Sequence, residues 1–222
     1  MATGGAEQRD NLGMVLFPGF TALDLVGPLE VLSRSRTRCI LVAKDAGPVE
    51  SDRGLRILPD ATLEACPRLD ALFVPGGPGQ TPAMEDQALI SFIARRHAEA
   101  RWTASVCTGA LLLARAGVLA GRRATTHWLA MEELGRLGAI PTRARIVEDG
   151  NVITGAGVSA GIDLALALVA RWQGEAAARR IQLAIEYDPQ PPFDSGSPER
   201  APDEIVQELK ANSRFHGKRP RS

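Results

Sequence analysis

Short apolar runs alternate with stretches of helical periodicity along most of the chain, and this alternation constrains the fold more than any other feature of the sequence. The predicted buried strands lie at residues 12–17, 39–44, 71–74, 102–106 and 151–154. The predicted helices lie at residues 24–33, 87–100, 110–116, 129–137 and 204–212. Strands that alternate with helices favour a mostly parallel central sheet covered on both faces, which is a three-layer α/β sandwich.

Turn residues refine this pattern. The Asp149-Gly150 pair predicts a hairpin between two short strands, and residues 49–57 are compatible with a second hairpin. Gly174 is expected to divide the helical stretch 159–187 into two helices.

The chain contains neither a repeat nor a long internal linker, so residues 12–212 are predicted to form a single domain. Residues 1–11 are predicted to be a flexible leader, because they are polar and rich in glycine. Residues 213–222 are predicted to be a flexible basic tail.

Charge and cysteine content exclude several classes of protein. Lys plus Arg and Asp plus Glu both number 26, so no nucleic-acid partner is predicted. No apolar run is long enough to predict a membrane span. The three cysteines form neither a disulfide framework nor a metal-ligand motif, which indicates a reducing, cytoplasmic location and no metal site.

Cys107 is the main candidate for a reactive residue. It follows the predicted strand 102–106 directly, and a helix begins almost at once after Thr108 and Gly109. A residue at such a turn is presented at the carboxyl edge of a parallel sheet, often with a strained backbone. The helix N-terminus is expected to favour the thiolate, which is the nucleophilic form. Cys39 and Cys66 lack this setting and are predicted to be structural.

Two other segments follow predicted strands at the same edge. Asp24 has apolar neighbours, so it is either a partly buried carboxyl that can carry a proton or a helix N-cap. Gly76 and Gly77 either offer backbone N–H groups to a ligand, as in an oxyanion hole, or form only a tight turn. The residues themselves leave both pairs of alternatives open.

These segments also carry a family resemblance. The most telling pieces are Leu23-Asp24-Leu25-Val26-Gly27-Pro28, Val74-Pro75-Gly76-Gly77, Ser105-Val106-Cys107-Thr108-Gly109, Ala124-Thr125-Thr126-His127-Trp128 and Glu186-Tyr187-Asp188-Pro189-Gln190-Pro191-Pro192-Phe193. Together they resemble the ThiJ/PfpI superfamily, and within it the isonitrile (isocyanide) hydratases. The similarity extends from about residue 12 to residue 202.

The resemblance implies a flavodoxin-like domain of the class I glutamine amidotransferase type with a nucleophile elbow, and a homodimer. It implies that Cys107 is the nucleophile, that Asp24 is the acid/base residue, and that Thr108 hydrogen-bonds within the site. The implied reaction adds water to an isonitrile, a small-molecule substrate, and gives an N-substituted formamide through a covalent thioimidate. No cofactor is implied.

Two alternatives follow from other branches of the same superfamily. The ligand domain of AraC-type regulators is similar, so a non-catalytic small-molecule or redox-sensing module is one alternative. Glyoxalase-type hydration of a small aldehyde is the other. Relatives with peptidase or glyoxalase activity commonly have Glu at the place of Asp24, and peptidase-like members have His at the place of Thr108, so both activities are disfavoured.

Three further features have two interpretations each. His127 is either a pocket-lining residue or a structural histidine beside Trp128, and Val158 is either a wall of the substrate pocket or a core residue. Residues 187–202 are rich in Pro, Gly and Ser, and are expected to cover either the site or a dimer interface.

Overall fold

The structure is a computed structural model, and it describes residues 9–216. The strands are β1 (Asp10–Val15), β2 (Thr37–Ala43), β3 (Val49–Glu50), β4 (Arg56–Ile57), β5 (Ala61–Thr62), β6 (Ala71–Val74), β7 (Trp102–Val106), β8 (Arg123–Ala124), β9 (Ile140–Pro141), β10 (Ile146–Asp149) and β11 (Val152–Gly155). The helices are α1 (Ala22–Leu32), α2 (Gln80–Ala83), α3 (Gln87–Glu99), α4 (Gly109–Arg115), α5 (Met131–Arg136), α6 (Ala160–Gln173), α7 (Glu175–Ala184) and α8 (Asp203–Ala211).

Seven of the strands form the central sheet, in the spatial order β10-β11-β7-β6-β1-β2-β5. Every neighbouring pair is parallel except β10 and β11, which form the predicted hairpin. The second predicted hairpin is also present, as the antiparallel pair of β3 and β4. The predicted flavodoxin-like α/β fold with a mostly parallel sheet is therefore confirmed.

The central strands β6 and β7 have the predicted bounds, because each is an uninterrupted run of buried or nearly buried residues. β1 begins two residues before the predicted position, so Asp10 and Asn11 are not part of a flexible leader. Their backbones pair with Thr37 and Arg38 of β2, and backbone pairing requires no apolar side chain. Residues 1–8 of the predicted leader lie outside the described residues.

The helices cover the sheet in two packed pairs. α1 packs against α6, and α3 packs against α4. The buried face of α3 consists of Leu89, Ile90, Phe92 and Ile93, which recur at helical spacing. α6 and α7 are separated at Gly174, as predicted, and this residue has a φ of 92° that suits glycine. Of the helices in residues 9–216, none has the length and hydropathy needed to cross a bilayer.

The segment after α8 differs from the prediction of a flexible tail that begins at residue 213. Phe215 packs against the hydrophobic core, and Arg214 donates hydrogen bonds to the Gly77 carbonyl and to the Gln80 side chain. Basic composition could not indicate this, because the contacts depend on where the chain returns after α8. The most basic part of the predicted tail, residues 217–222, lies outside the described residues.

Candidate active site

The backbone at Cys107 is strained. Its φ is 56°, which L-residues with a Cβ adopt only at a cost. Three hydrogen bonds hold this conformation: the Cys107 N–H donates to the carbonyls of Gly155 (3.1 Å) and Ala156 (2.8 Å), and the Thr126 hydroxyl donates to the Cys107 carbonyl (2.8 Å). The predicted turn of Cys107, Thr108 and Gly109, called the elbow below, is thus built into the structure.

Two glycines allow the loop after β6 to lie directly on the elbow. A Cβ at Gly76 would lie 2.5 Å from the Thr108 nitrogen, and a Cβ at Gly109 would lie 2.2 Å from the Val74 carbonyl oxygen. Both distances are far below van der Waals contact with backbone atoms that cannot move away easily. The close approach brings the loop after β6 into hydrogen-bonding range of the residues at the elbow.

Gly109→Ala is therefore expected to lower the free energy of unfolding by about 3 kcal/mol, because overpacking of this kind forces the backbone apart. Denaturant unfolding measures the change. Gly47→Ala is the matched control, since a Cβ there meets nothing within 4 Å, and it is expected to alter stability by less than about 0.5 kcal/mol. Equal stability of the two variants would contradict the close approach.

Asp24 lies in the first turn of α1 and is fully buried. Its Oδ2 accepts a hydrogen bond from the Gly76 N–H at 3.0 Å, whereas Oδ1 has no partner of regular geometry among the described residues. α1 begins two residues before Asp24, and Thr21 occupies the N-cap position, so the N-cap interpretation of Asp24 is wrong. Burial is the main cause that raises the pKa of Asp24 to about 7, as the alternative interpretation expects.

The thiol of Cys107 is also buried, with 5% of the residue exposed. Burial and the negative charge of Asp24 raise the pKa of the thiol well above its usual range, while the Thr108 N–H acts in the opposite direction. The expectation that the elbow favours the thiolate is therefore wrong for this structure, because desolvation and the neighbouring carboxylate outweigh the backbone donor. Both pKa values respond to a hydrogen bond between the two side chains.

Thr108 and the two loop glycines form a small hydrogen-bonded network. The Gly77 N–H donates to the Thr108 hydroxyl oxygen at 3.0 Å, and the hydroxyl lies 3.2 Å from the Gly77 carbonyl, to which it donates. The Gly76 N–H is engaged with Asp24. In this structure neither N–H group is free to form an oxyanion hole, because both have partners within the protein. They position Asp24 and Thr108 instead.

A cavity of about 550 Å³ lies beside the elbow, and none of Asp24, Cys107 and Thr108 lines it. Its walls include Thr126 and Ala156, which hydrogen-bond to the backbone of Cys107, and also His127 and Val158. Residues 196–200 form another part of the wall, and the ion pair of Arg143 with Glu199 (3.2 Å) ties them to it. Part of the Pro-rich segment 187–202 thus lines this cavity, and the choice between a cover of the site and a dimer interface stays a prediction.

His127 has a structural role as well as a place in the cavity wall. Its Nδ1 accepts a hydrogen bond from the Leu129 N–H at 3.3 Å, and its ring stacks on Trp128. Burial lowers the pKa of His127, and the positive charge of Arg214 lowers it further. The imidazole is therefore neutral at pH 7, with its proton on Nε2. The two interpretations of His127 are both consistent with the structure.

Sequence reasoning missed Arg214 as a member of this site. It is separated from Gly77 by 137 positions and binds that residue through a backbone carbonyl, 3.1 Å away. Contacts to backbone atoms leave no residue-type signature at the partner position. No sequence signal could therefore have indicated the contact.

Comparison with known proteins identifies the family of the chain. The model of the DJ-1/PfpI family matches residues 12–171. Isonitrile hydratase of Pseudomonas putida is 50% identical over 200 residues, which cover 90% of this chain and 88% of that protein. A solved structure of a ThiJ/PfpI family protein from Pseudomonas syringae has a TM-score of 0.89 and 42% identity, with 94% of this chain and 90% of that chain covered.

A transcriptional regulator is also similar. HTH-type transcriptional regulator CdhR of Pseudomonas aeruginosa is 33% identical over 186 residues, which cover 79% of this chain but only 53% of the regulator. The chain thus spans about half the length of that relative and nearly all of the hydratase. On the match to the family model and on these identities, the chain belongs to the DJ-1/PfpI family.

Proposed function

We propose that the protein is a cysteine-dependent hydratase that adds water to an isonitrile and releases an N-substituted formamide. The observation that carries the proposal is the buried carboxyl group of Asp24 beside the buried thiol of Cys107. Asp24 has one carboxylate oxygen without a regular hydrogen bond, and each of the two groups changes the pKa of the other. The 50% identity to isonitrile hydratase supports the choice of substrate class. The chemistry itself needs a nucleophile and one group that both accepts and donates a proton.

The first half of the reaction forms a covalent bond to sulfur. Ionised Asp24 accepts the proton of the Cys107 thiol, and the sulfur attacks the terminal carbon of R–N≡C. Asp24 then donates the same proton to that carbon, which gives the thioimidate R–N=CH–S–Cys107. Because the thiol has a raised pKa, proton removal and attack occur together, and the raised pKa of Asp24 brings acceptor and donor closer in strength.

The second half consumes water. Asp24 accepts a proton from the attacking water as the C–O bond forms and donates that proton to the imine nitrogen, which gives R–NH–CH(OH)–S–Cys107. The C–S bond then breaks, the hydroxyl becomes the carbonyl of R–NH–CHO, and the sulfur regains its proton. The sum is one isonitrile plus one water to one formamide, and the free thiol and carboxylate are restored.

The direct test uses purified protein and cyclohexyl isocyanide, with formation of N-cyclohexylformamide followed by chromatography. Turnover over many cycles is the expected result. Absence of turnover across several alkyl and aryl isonitriles, with the protein shown to be folded, would overturn the proposal.

The pH profile of kcat/KM is expected to fall below pH 7, because protonated Asp24 cannot accept the thiol proton. Its pKa of about 7 places the acid limb there, with close to a tenfold decrease per pH unit below it and a plateau from about pH 7.5 to pH 9. Initial rates at low substrate concentration between pH 5 and pH 9 measure the profile. A rate that rises continuously to pH 9 would instead indicate that the reactive species is thiolate formed without Asp24, since the pKa of Cys107 lies well above its usual value.

A ligand sensor is the second candidate, and the similarity to a transcriptional regulator supports it. In that case an isonitrile or another small molecule would bind in the 550 Å³ cavity without turnover. The raised pKa of Cys107 argues against the redox form of this candidate, because peroxide reacts with thiolates. Binding without product formation distinguishes the sensor from the enzyme.

We further propose a homodimer and a cytoplasmic location. Leu23 and Val26 on α1 have apolar side chains that are 44% and 37% exposed, and both lie close to Asp24 in the sequence. Burial of these side chains in a second copy would extend the wall of the cavity, because Leu23 also lines it. Cys39, Cys66 and Cys107 are all free, which suits a reducing compartment.

A further inference from the structure

The segment after α8 returns to the elbow and places Arg214 against it. One guanidinium nitrogen, Nη2, donates to the Gly77 carbonyl at 3.1 Å and to the side-chain oxygen of buried Gln80 at 3.3 Å. The guanidinium also lies over the ring of Phe215, 4.7 Å from its centre, and Phe215 packs against the core. These contacts fix an arginine at the site from three sides.

The Gly77 carbonyl links Arg214 to the elbow. It accepts hydrogen bonds both from Arg214 and from the hydroxyl of Thr108, so both of its lone pairs are engaged. The hydroxyl of Thr108 in turn accepts from the Gly77 N–H. A carbonyl held by a guanidinium cannot rotate away from the threonine, and Thr108 is the residue whose backbone N–H acts on the Cys107 sulfur.

Arg214 also contributes charge. Burial lowers its pKa, and the negative charge of an ionised Cys107 raises it. Such coupling is reciprocal, so the guanidinium favours the ionised sulfur, while burial and Asp24 remain the main influences on the pKa of the thiol. The other charged or titratable groups that act on the site are Asp24 on α1, Asp52 in the β3–β4 turn and His127. Asp24 opposes ionisation of the thiol, and Asp52 raises the pKa of Asp24. Because its pKa is lowered, His127 is neutral at pH 7 and adds no positive charge to the site.

We propose that Arg214 is a positioning residue of the Cys107 site, which holds the Gly77–Thr108 network in place and supplies the positive charge that offsets Asp24 when sulfur becomes negative. This rests on the proposed role of Cys107 as the nucleophile. A side chain that only filled space at this position would need neither the positive charge nor the two hydrogen bonds to Gly77 and Gln80.

The test measures alkylation of Cys107 by iodoacetamide, a reaction that needs no isonitrile. Peptide-resolved mass spectrometry follows Cys107 and, as an internal control, half-buried Cys39 in the wild type, Arg214→Gln and Arg214→Lys between pH 7 and pH 10. The proposal expects Arg214→Gln to react about tenfold more slowly at Cys107 at pH 8, which corresponds to a thiol pKa about one unit higher, with Cys39 unchanged. Arg214→Lys keeps the charge and is expected to remain within about threefold of the wild type.

The matched control for charge removal is Arg179→Gln, on the exposed side of α7, which is expected to leave alkylation unchanged. Equal Cys107 reactivity in Arg214→Gln and the wild type would overturn the proposal, and so would an equal loss in the Lys and Gln variants. Arg214→Met serves if the Gln variant is unfolded. Loss of the native thermal transition in both uncharged variants would assign Arg214 a purely structural role and would also overturn it. A wild type that fails to hydrate isonitriles while the alkylation results hold would contradict the proposed function alone.

Discussion

Cys107→Ser is expected to reduce isonitrile hydration by at least about 10³-fold. Serine fits the same strained turn, since φ of 56° costs both residues alike, and its hydroxyl is smaller than the thiol. The reason for the loss is chemical. Asp24, with a pKa of about 7, can assist ionisation of a thiol but is far too weak a base for an alcohol.

The measurement compares kcat/KM for cyclohexyl isocyanide in Cys107→Ser and in Cys39→Ser. Cys39 is the matched control, because it is a partly buried free cysteine that contacts Thr37 in β2 rather than the elbow. The control is expected to retain full activity. Undiminished turnover in Cys107→Ser would show that the reaction does not pass through a sulfur–carbon bond.

Local sequence patterns were sufficient to predict the scaffold of this site. Residues 71–74 are an apolar run, and residues 102–106 alternate apolar residues with Thr103 and Ser105. The ends of both segments coincide with those of β6 and β7, and a parallel sheet necessarily brings their carboxyl ends to one edge. The strained turn at Cys107 follows from a strand that passes into a helix almost without a connection. In each case the information lies within a few residues along the chain.

The electrostatics of the site could not be predicted in this way. The helix N-terminus beside Cys107 is visible in the sequence and favours a thiolate, but burial and the proximity of Asp24 depend on how α1 packs over the elbow. The same holds for the N–H groups of Gly76 and Gly77, which the sequence offers as free donors and the structure engages with Asp24 and Thr108. Desolvation and competition for donors are properties of the packed state.

Asp24→Asn is expected to lower kcat/KM for isonitrile hydration by about 10²–10⁴-fold, because the amide can neither accept the thiol proton nor return it to carbon. The side-chain oxygen of asparagine can still accept from the Gly76 N–H, so the loop after β6 is expected to stay in place. The acid limb of the pH profile near pH 7 is expected to disappear from the residual activity. A residual profile that keeps this limb would show that another group, and not Asp24, is responsible for it.

The same substitution is expected to stabilise the protein, and this gain separates a strained catalytic acid from an ordinary buried one. Asp24 has a pKa of about 7 in the folded protein and about 3.8 in the unfolded chain, so the folded state binds more protons between these values. The stability of the wild type therefore falls as the pH rises from about 4 to about 7, and ionised Asp24 costs at most about 4 kcal/mol above that range. Asparagine removes this cost, so the gain of Asp24→Asn in unfolding free energy is expected to be larger at pH 8 than at pH 5. Denaturant unfolding at the two pH values measures this gain. An equal or smaller gain at pH 8 would show that the ionised carboxylate of Asp24 does not destabilise the folded state.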